Sequence, residues 1–213
     1  MSITLGKYGV RVNAVSPGPV KTDIFARARY SDELITLLDG WGEPEEIAEI
    51  VTSLASDKAK DMSFESKVYR AGIGAAIAIA FAKESANLVI VGRNEENLRK
   101  VAKQCEINNR IPYVINADVT NENDTKRIIH NTIKKFNKLD ILVNNAGILR
   151  SDLSQDNKVI EKYDEIMKTN VRAVVDLTRL ATQFLIQSKG NIVNISSVNG
   201  SRVFRGEYTL III

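Results

Sequence analysis

Residues 139–147, Leu139-Asp-Ile-Leu-Val-Asn-Asn-Ala-Gly147, pass from a short apolar run into two amides and a glycine. An apolar run of this length, bounded by turn formers, reads as a strand buried in a sheet. Open α/β sheets hold their ligands at the C-terminal ends of such strands. Ala146 and Gly147 are small enough there for a flat ring to approach the backbone. Taken alone, Asn144-Asn-Ala-Gly147 is a weak signal, because a glycine closing a strand usually makes only a turn.

Working outward, the same alternation of short apolar runs and helical stretches recurs. Leu88-Val-Ile-Val91 is a continuous apolar run, expected to be a strand buried on both faces. Residues 94–106 carry helical spacing, and residues 112–116 form a second strand. Thr120 and Asn121 can cap a helix running to about Phe136. One long amphipathic helix is expected over residues 159–187, and a fourth strand over 191–195. Strands alternating with helices predict an α/β fold with a parallel sheet covered on both faces.

The first sixty residues differ. Residues 9–15 read as one strand ended by Pro17-Gly-Pro19, and Gly42-Glu-Pro-Glu-Glu46 opens a helix running to about Ala55. Proline in the first turn and carboxylates beside the positive helix end favour that start. Asp57-Lys-Ala-Lys-Asp61 is polar and precedes a second methionine, Met62. Two segments are therefore expected, 1–61 and 62–213, forming at most one domain between them.

Composition narrows the function classes. The net charge of +3 is dispersed and aromatics make up only 6%, which argues against a nucleic-acid surface. The longest apolar run, residues 71–82, is too short to span a bilayer. Lys7 and Arg11 interrupt any apolar leader. The single cysteine, Cys105, has no partner for an internal disulfide, so a cytoplasmic setting is expected. It reads as a helix residue without chemistry. His130, the one histidine, reads as solvent-facing, and nothing near it suggests a metal.

Four motifs stand in order along the chain: Asn116-Ala-Asp-Val119, Asn144-Asn-Ala-Gly147, Lys168-Thr-Asn-Val171 and Gly190-Asn-Ile-Val-Asn-Ile-Ser-Ser197. With their spacing they resemble the short-chain dehydrogenase/reductase family, in its 3-oxoacyl-acyl-carrier-protein reductase-like branch. The resemblance implies a Rossmann-type doubly wound parallel sheet and an NAD(P)(H)-dependent oxidoreductase acting on carbonyl and alcohol groups. It comes in swapped order. Residues 62 to about 204 resemble the first three-fifths of such an enzyme, and residues 5–60 resemble its last part.

What the resemblance implies for particular residues follows. Gly72, Ile73 and Gly74 match the end of the glycine-rich turn that meets the cofactor pyrophosphate at a helix N-terminus. The first glycine and the end of the first strand are missing, and residues 64–69 would have to supply a shortened substitute strand. Asp118 and Val119 match the adenine contacts, and Asn144, Ala146 and Gly147 the strand end beside the cofactor. Pro17, Gly18, Val20 and Thr22 match the loop that contacts the nicotinamide. Arg93 follows the second strand, where an acid would favour NAD, so the cofactor expected is NADP(H).

Among catalytic groups, Ser197 matches the serine that orients the substrate carbonyl, and Asn170 the helix asparagine of the proton relay. The Tyr-x-x-x-Lys pair is absent: Leu210 stands where the tyrosine is expected, Tyr208 is two residues early, and Ile212 stands where a lysine paired with it would be. The catalytic helix and the last strand are missing as well, so the Rossmann sheet is expected to be incomplete. The expectation is an oxidoreductase by family that is inactive as this polypeptide, its cofactor bound weakly if at all. The alternatives are a non-catalytic nucleotide-binding or interaction module, or a misjoined, truncated gene product without its own function. Small carbonyl or alcohol substrates are implied by resemblance. So is a homo-oligomer, although the missing segments argue against one here.

Overall fold

The computed structural model describes residues 2–22, 42–56, 72–149 and 157–197. Its elements, in chain order, are α1 (Ser2–Gly6), β1 (Arg11–Val15), α2 (Pro44–Ala55), α3 (Ile73–Lys83), β2 (Val89–Gly92) and α4 (Glu95–Gln104). They continue with β3 (Tyr113–Asn116), α5 (Glu122–Phe136), β4 (Ile141–Asn144) and α6 (Val159–Ile166). A π-helical stretch (Met167–Arg172), α7 (Ala173–Ser188) and β5 (Asn191–Ile195) complete them. The expected residues 64–69 strand lies outside the described residues, as do residues 23–41.

Local chemistry explains the boundaries. The side chain of Asn94 accepts from the Asn97 N–H at 2.9 Å and caps α4, and Asn121 does the same for α5 through the Asn123 N–H. Asn137 ends α5 with φ of 60°, and Lys189 ends α7 with φ of 51°, each in the left-handed conformation that stops a helix. Pro44, Glu45 and Glu46 sit in the first turn of α2, as the sequence predicts.

Among the described residues all strand pairs are parallel. They form two sheets, one ordered β1-β5-β4 and the other β2-β3. Two apolar clusters cover their faces. Leu5, Val10, Ile115, Ile128, Leu177, Ala181, Leu185 and Ile192 form one beneath α5 and α7, and Val89, Val91 and Leu142 pack against it. Val15, Val20, Ile47, Val51, Ala76, Ile77 and Val193 form the other beneath α2 and α3, with Val143 against it. Both clusters draw on residues before and after the polar stretch at 57–61.

The expectation of a strand buried on both faces at 88–91 needs correction: all four residues of β2 are half-buried. Burial depends on the neighbours packed around a strand, which its own apolar run does not specify. Among the described residues β2 pairs only with β3, and β4 only with β5. The single long helix expected over 159–187 is also corrected. The π-helical turn interrupts it, and such turns cluster where a side chain is re-aimed.

The docking of β1 and α2 rests on a small polar network. The Arg11 guanidinium donates to the Ser56 carbonyl at 2.8 Å and the Ala55 carbonyl at 3.2 Å, closing the C-terminal end of α2. Asn191, which is 1% exposed, donates to the Leu54 carbonyl at 2.6 Å and accepts from Asn13 Nδ2 at 3.0 Å. Asn191→Ala leaves the half-buried Asn13 amide without this acceptor and the half-buried Leu54 carbonyl with only the longer 3.4 Å bond from Arg11 Nη1. We expect a loss of about 1–3 kcal/mol, read as a lower urea midpoint at unchanged slope.

Candidate cofactor site

Helix α3 runs from its Gly72 N-cap to Lys83, and β2 begins after residues 84–88. The helix therefore returns along the sheet, and its N-terminus lies at the edge where β2 ends. Asn145, the residue after β4, is at that same edge: a Cβ placed on Gly74 would come within 2.5 Å of Asn145 Nδ2. The C-terminal ends of β2 and β4 thus meet the start of α3. Among the described residues, a Cβ on Gly72 would meet nothing within 4 Å. The N–H groups of a first helical turn have no partner within the helix and can receive an anion. Sequence reasoning left Asn145 out of the site; its signal was its place inside the Asn144-Asn-Ala-Gly147 run.

Arg93 and Asp118 close the two-stranded sheet at the same edge. Arg93 follows β2, Asp118 lies two residues after β3, and their side chains approach to 3.9 Å (Arg93 Nη1 to Asp118 Oδ2). Asp118 Oδ1 accepts from the Thr120 N–H at 2.9 Å and the Thr120 hydroxyl at 2.8 Å. Partial burial pushes this carboxyl up, but the two Thr120 donors and the charges of Arg93 and Lys168 outweigh it, holding the pKa below the ordinary carboxylate value. Val119 is half-buried against the cluster beneath α5 and α7.

The turn after β4 is fixed from behind. Asn144 Nδ2 donates to Asn194 Oδ1 at 2.8 Å and to the Thr178 hydroxyl at 3.3 Å, which ties β4 to β5 and α7. Asn170 is 5% exposed in the π-helical turn. Its Oδ1 accepts from the Ile148 N–H at 2.9 Å, and its Nδ2 donates to the Ile148 carbonyl at 3.0 Å. Both ends of this amide hold the strand-exit loop that contains Ala146 and Gly147. Ala146 and Gly147 are exposed.

Ser197 follows the end of β5, and the preceding Ser196 N–H donates to the Val15 carbonyl at 2.7 Å, carrying the β1–β5 pairing to the sheet edge. From the first segment, Pro17 and Val20 are buried, Gly18 is exposed and Thr22 is half-buried. The loop is pinned where Gly42 donates to the Pro19 carbonyl at 2.8 Å and Lys21 N–H donates to the Gly42 carbonyl at 3.0 Å. Tyr208, Leu210 and Ile212 lie outside the described residues.

Elsewhere, His130 is exposed. Cys105 is buried at the C-cap of α4, where burial pushes its thiol up to about 11, so it carries no thiolate at neutral pH. Among the described residues, no helix is long and apolar enough to cross a membrane.

The sequence model of the family described as short chain dehydrogenase matches residues 69–208, and one described as enoyl-(acyl carrier protein) reductase matches residues 1–66. The chain belongs to the short-chain dehydrogenase family. It is 36% identical over 132 residues to the 3-oxoacyl-acyl-carrier-protein reductase FabG of Thermotoga maritima, covering 61% of this chain and 52% of that protein. Among solved structures it is similar to the apo-form glucose dehydrogenase of Caenorhabditis elegans. That match has 38% identity and a TM-score of 0.52, and covers 60% of this chain and 50% of the other. ElxO with NADP bound matches at 30% identity and a TM-score of 0.54, covering 62% of this chain and 54% of that one. This short-chain dehydrogenase therefore spans about half the length of the relatives it matches.

Proposed function

We propose that this short-chain dehydrogenase chain binds NADP(H) at the strand-end edge described above and is catalytically silent as it stands. Its substrate class by family is small carbonyl and alcohol compounds. One observation carries the reading. The start of α3 meets Asn145 just past the end of β4, Arg93 and Asp118 approach each other past the ends of β2 and β3, and a Cβ on Gly74 would displace the Asn145 side chain.

The residues fit such a cofactor. The α3 N-terminus with Gly72, Ile73 and Gly74 would hold the pyrophosphate. Arg93 supplies the cation for a 2′-phosphate, and Asp118 an acceptor for an adenine amine. Ala146 and Gly147 leave backbone exposed for a ring, and Pro17, Gly18, Val20 and Thr22 would border the nicotinamide end. When bound, NADP(H) supplies or takes up a hydride. This chain's own contribution there is to bind and orient. Ser197 would orient a carbonyl, and Asn170 holds the loop between Asn144 and Ile148.

Titrating the full chain with NADPH and NADH, by calorimetry or nucleotide fluorescence, tests this. NADPH is expected to bind more tightly, with an affinity kept weak by the shortened glycine turn. Arg93→Ala should erase about tenfold of the preference, one charge-assisted hydrogen bond's worth. Equal affinities in the unaltered protein, or tighter NADH, would remove Arg93 from the assignment.

A further inference from the structure

Between the end of β3 at Asn116 and the start of α5 at Glu122, the backbone is tied to its surroundings at three successive residues. The Asn116 carbonyl accepts from Arg127 Nη2 at 2.7 Å. The Ala117 N–H donates to the Gly92 carbonyl, at the end of β2, at 2.9 Å. The Asp118 N–H donates to Asp124 Oδ2 at 2.8 Å. Arg127 Nη2 also donates to Asp124 Oδ1 at 2.7 Å, so these two side chains, one turn apart on α5, brace each other.

This exceeds what helix capping asks for. An acid at the third position of a helix ordinarily reaches back to the N-cap N–H. Here the N-cap Asn121 gives its N–H to the Asp118 carbonyl at 2.9 Å, and its side chain caps α5 through the Asn123 N–H. Asp124 reaches three residues further back, to Asp118 itself. The Asp118 side chain is held as well: both Thr120 donors, the N–H at 2.9 Å and the hydroxyl at 2.8 Å, are given to Oδ1. Its other oxygen, Oδ2, lies 3.9 Å from Arg93 Nη1, which is beyond hydrogen-bond length.

We propose that Thr120 and Asp124 are positioning residues that set nucleotide selectivity by holding the Asp118 carboxylate off Arg93. The inference rests on the NADP(H) reading above. With Oδ1 taken up by Thr120 and the Asp118 backbone clamped by Asp124, Oδ2 is the oxygen presented to a base. It accepts from the 6-amino group of adenine and repels the 6-oxygen of hypoxanthine. The same restraint leaves the Arg93 guanidinium for a 2′-phosphate. Without the Thr120 hydroxyl, the carboxylate keeps one donor and turns about its Cβ–Cγ bond onto the guanidinium. A carboxylate and guanidinium closed to about 2.8 Å then serve neither the base nor the phosphate. Thr120 thus governs two selectivities through a hydroxyl that is spent on Asp118.

The test titrates the full chain with NADPH, NADH and the hypoxanthine analogue of NADPH. The unaltered protein should prefer NADPH to the hypoxanthine analogue by about tenfold, the worth of one charge-assisted hydrogen bond. Thr120→Ser keeps the hydroxyl and should keep the preferences for adenine and for the 2′-phosphate. Thr120→Val keeps the shape without the hydroxyl and should reduce each preference to about threefold or less. Asp124→Ala should lower the adenine preference in the same way, and if that variant fails to fold, the serine and valine variants decide. A merely structural role would weaken all three nucleotides alike and leave their ratios unchanged. That result overturns the proposal, as does a Thr120→Ser protein that behaves like Thr120→Val. An unaltered protein that binds none of the three overturns the cofactor reading and this inference with it, whereas preferences that survive in Thr120→Val overturn this inference alone.

Discussion

Purified protein is expected to consume NADPH with no carbonyl substrate above background. Reduction of a carbonyl requires a proton for the nascent alkoxide as well as a hydride, and the sequence provides no pair to deliver it. Leu210 and Ile212 are hydrocarbon side chains where the family resemblance calls for a tyrosine and a lysine. The polar groups that do stand at the edge are occupied with structure. Asn170 bonds the Ile148 backbone through both ends of its amide. Asn144 spends both amide hydrogens on Asn194 and Thr178. A missing general acid alone lowers turnover by about 10²–10⁴-fold, and a missing lysine removes electrostatic support besides. A panel of aldehydes and ketones followed at the NADPH absorbance band measures this. Turnover that is lost in Tyr208→Phe and raised in Ile212→Lys would show that Tyr208 serves as the acid, and the silent reading would fall.

The readable parts of the fold were those in which one local signal agreed with its neighbours. α2 begins at Pro44 and ends at Ala55 because proline and two carboxylates fix its start, and those are visible in the chain. β5 could be placed to the residue because its apolar run is bracketed by Gly190 and Ser196. The pairing of β1 beside β5 has no local signal, since no local pattern links residues 178 positions apart; the Asn13–Asn191 bond spans that separation. Two features were not legible. The π-helical turn keeps the same hydrophobic spacing as an α-helix to within one residue, so periodicity cannot reveal it. The half-burial of β2 is set by its neighbours in the fold, which is a tertiary fact: Val89 to Val91 are as apolar as a fully buried strand would be. At the site, the closeness of Gly74 to Asn145 emerged only from the packing.

Gly190→Ala is expected to be the most destabilising single-methyl addition among the described glycines. The reason is space rather than backbone conformation, since Gly9 alone among the described glycines has positive φ. Gly190 lies between the left-handed Lys189 that ends α7 and the first residue of β5. Its N–H donates to the Leu185 carbonyl at 2.8 Å, and its carbonyl accepts from the Arg11 N–H at 3.1 Å. A Cβ there would sit 2.3 Å from the Asp140 carbonyl oxygen, 2.8 Å from Leu185 Cδ2 and 2.9 Å from Ser188 Oγ. Side chains can turn aside, but the Asp140 oxygen cannot, because it accepts the Asn191 N–H at 2.8 Å at the start of the β4–β5 ladder. Relief requires β4 and β5 to part, and β5 is the strand that carries β1 and the Arg11 network. Overpacking of a rigid site costs about 1–3 kcal/mol and occasionally more, and the backbone obstacle places this case at about 3 kcal/mol or above. That is a large fraction of the 5–15 kcal/mol that typically holds a domain together. Gly72→Ala is the matched control. Its Cβ meets nothing within 4 Å, so urea unfolding should show a shift of no more than about 0.5 kcal/mol there. If Gly190→Ala shifted the midpoint no further than Gly72→Ala, the close approach of β5 to Asp140 would not exist in solution, and the β4–β5 register would have to be redrawn.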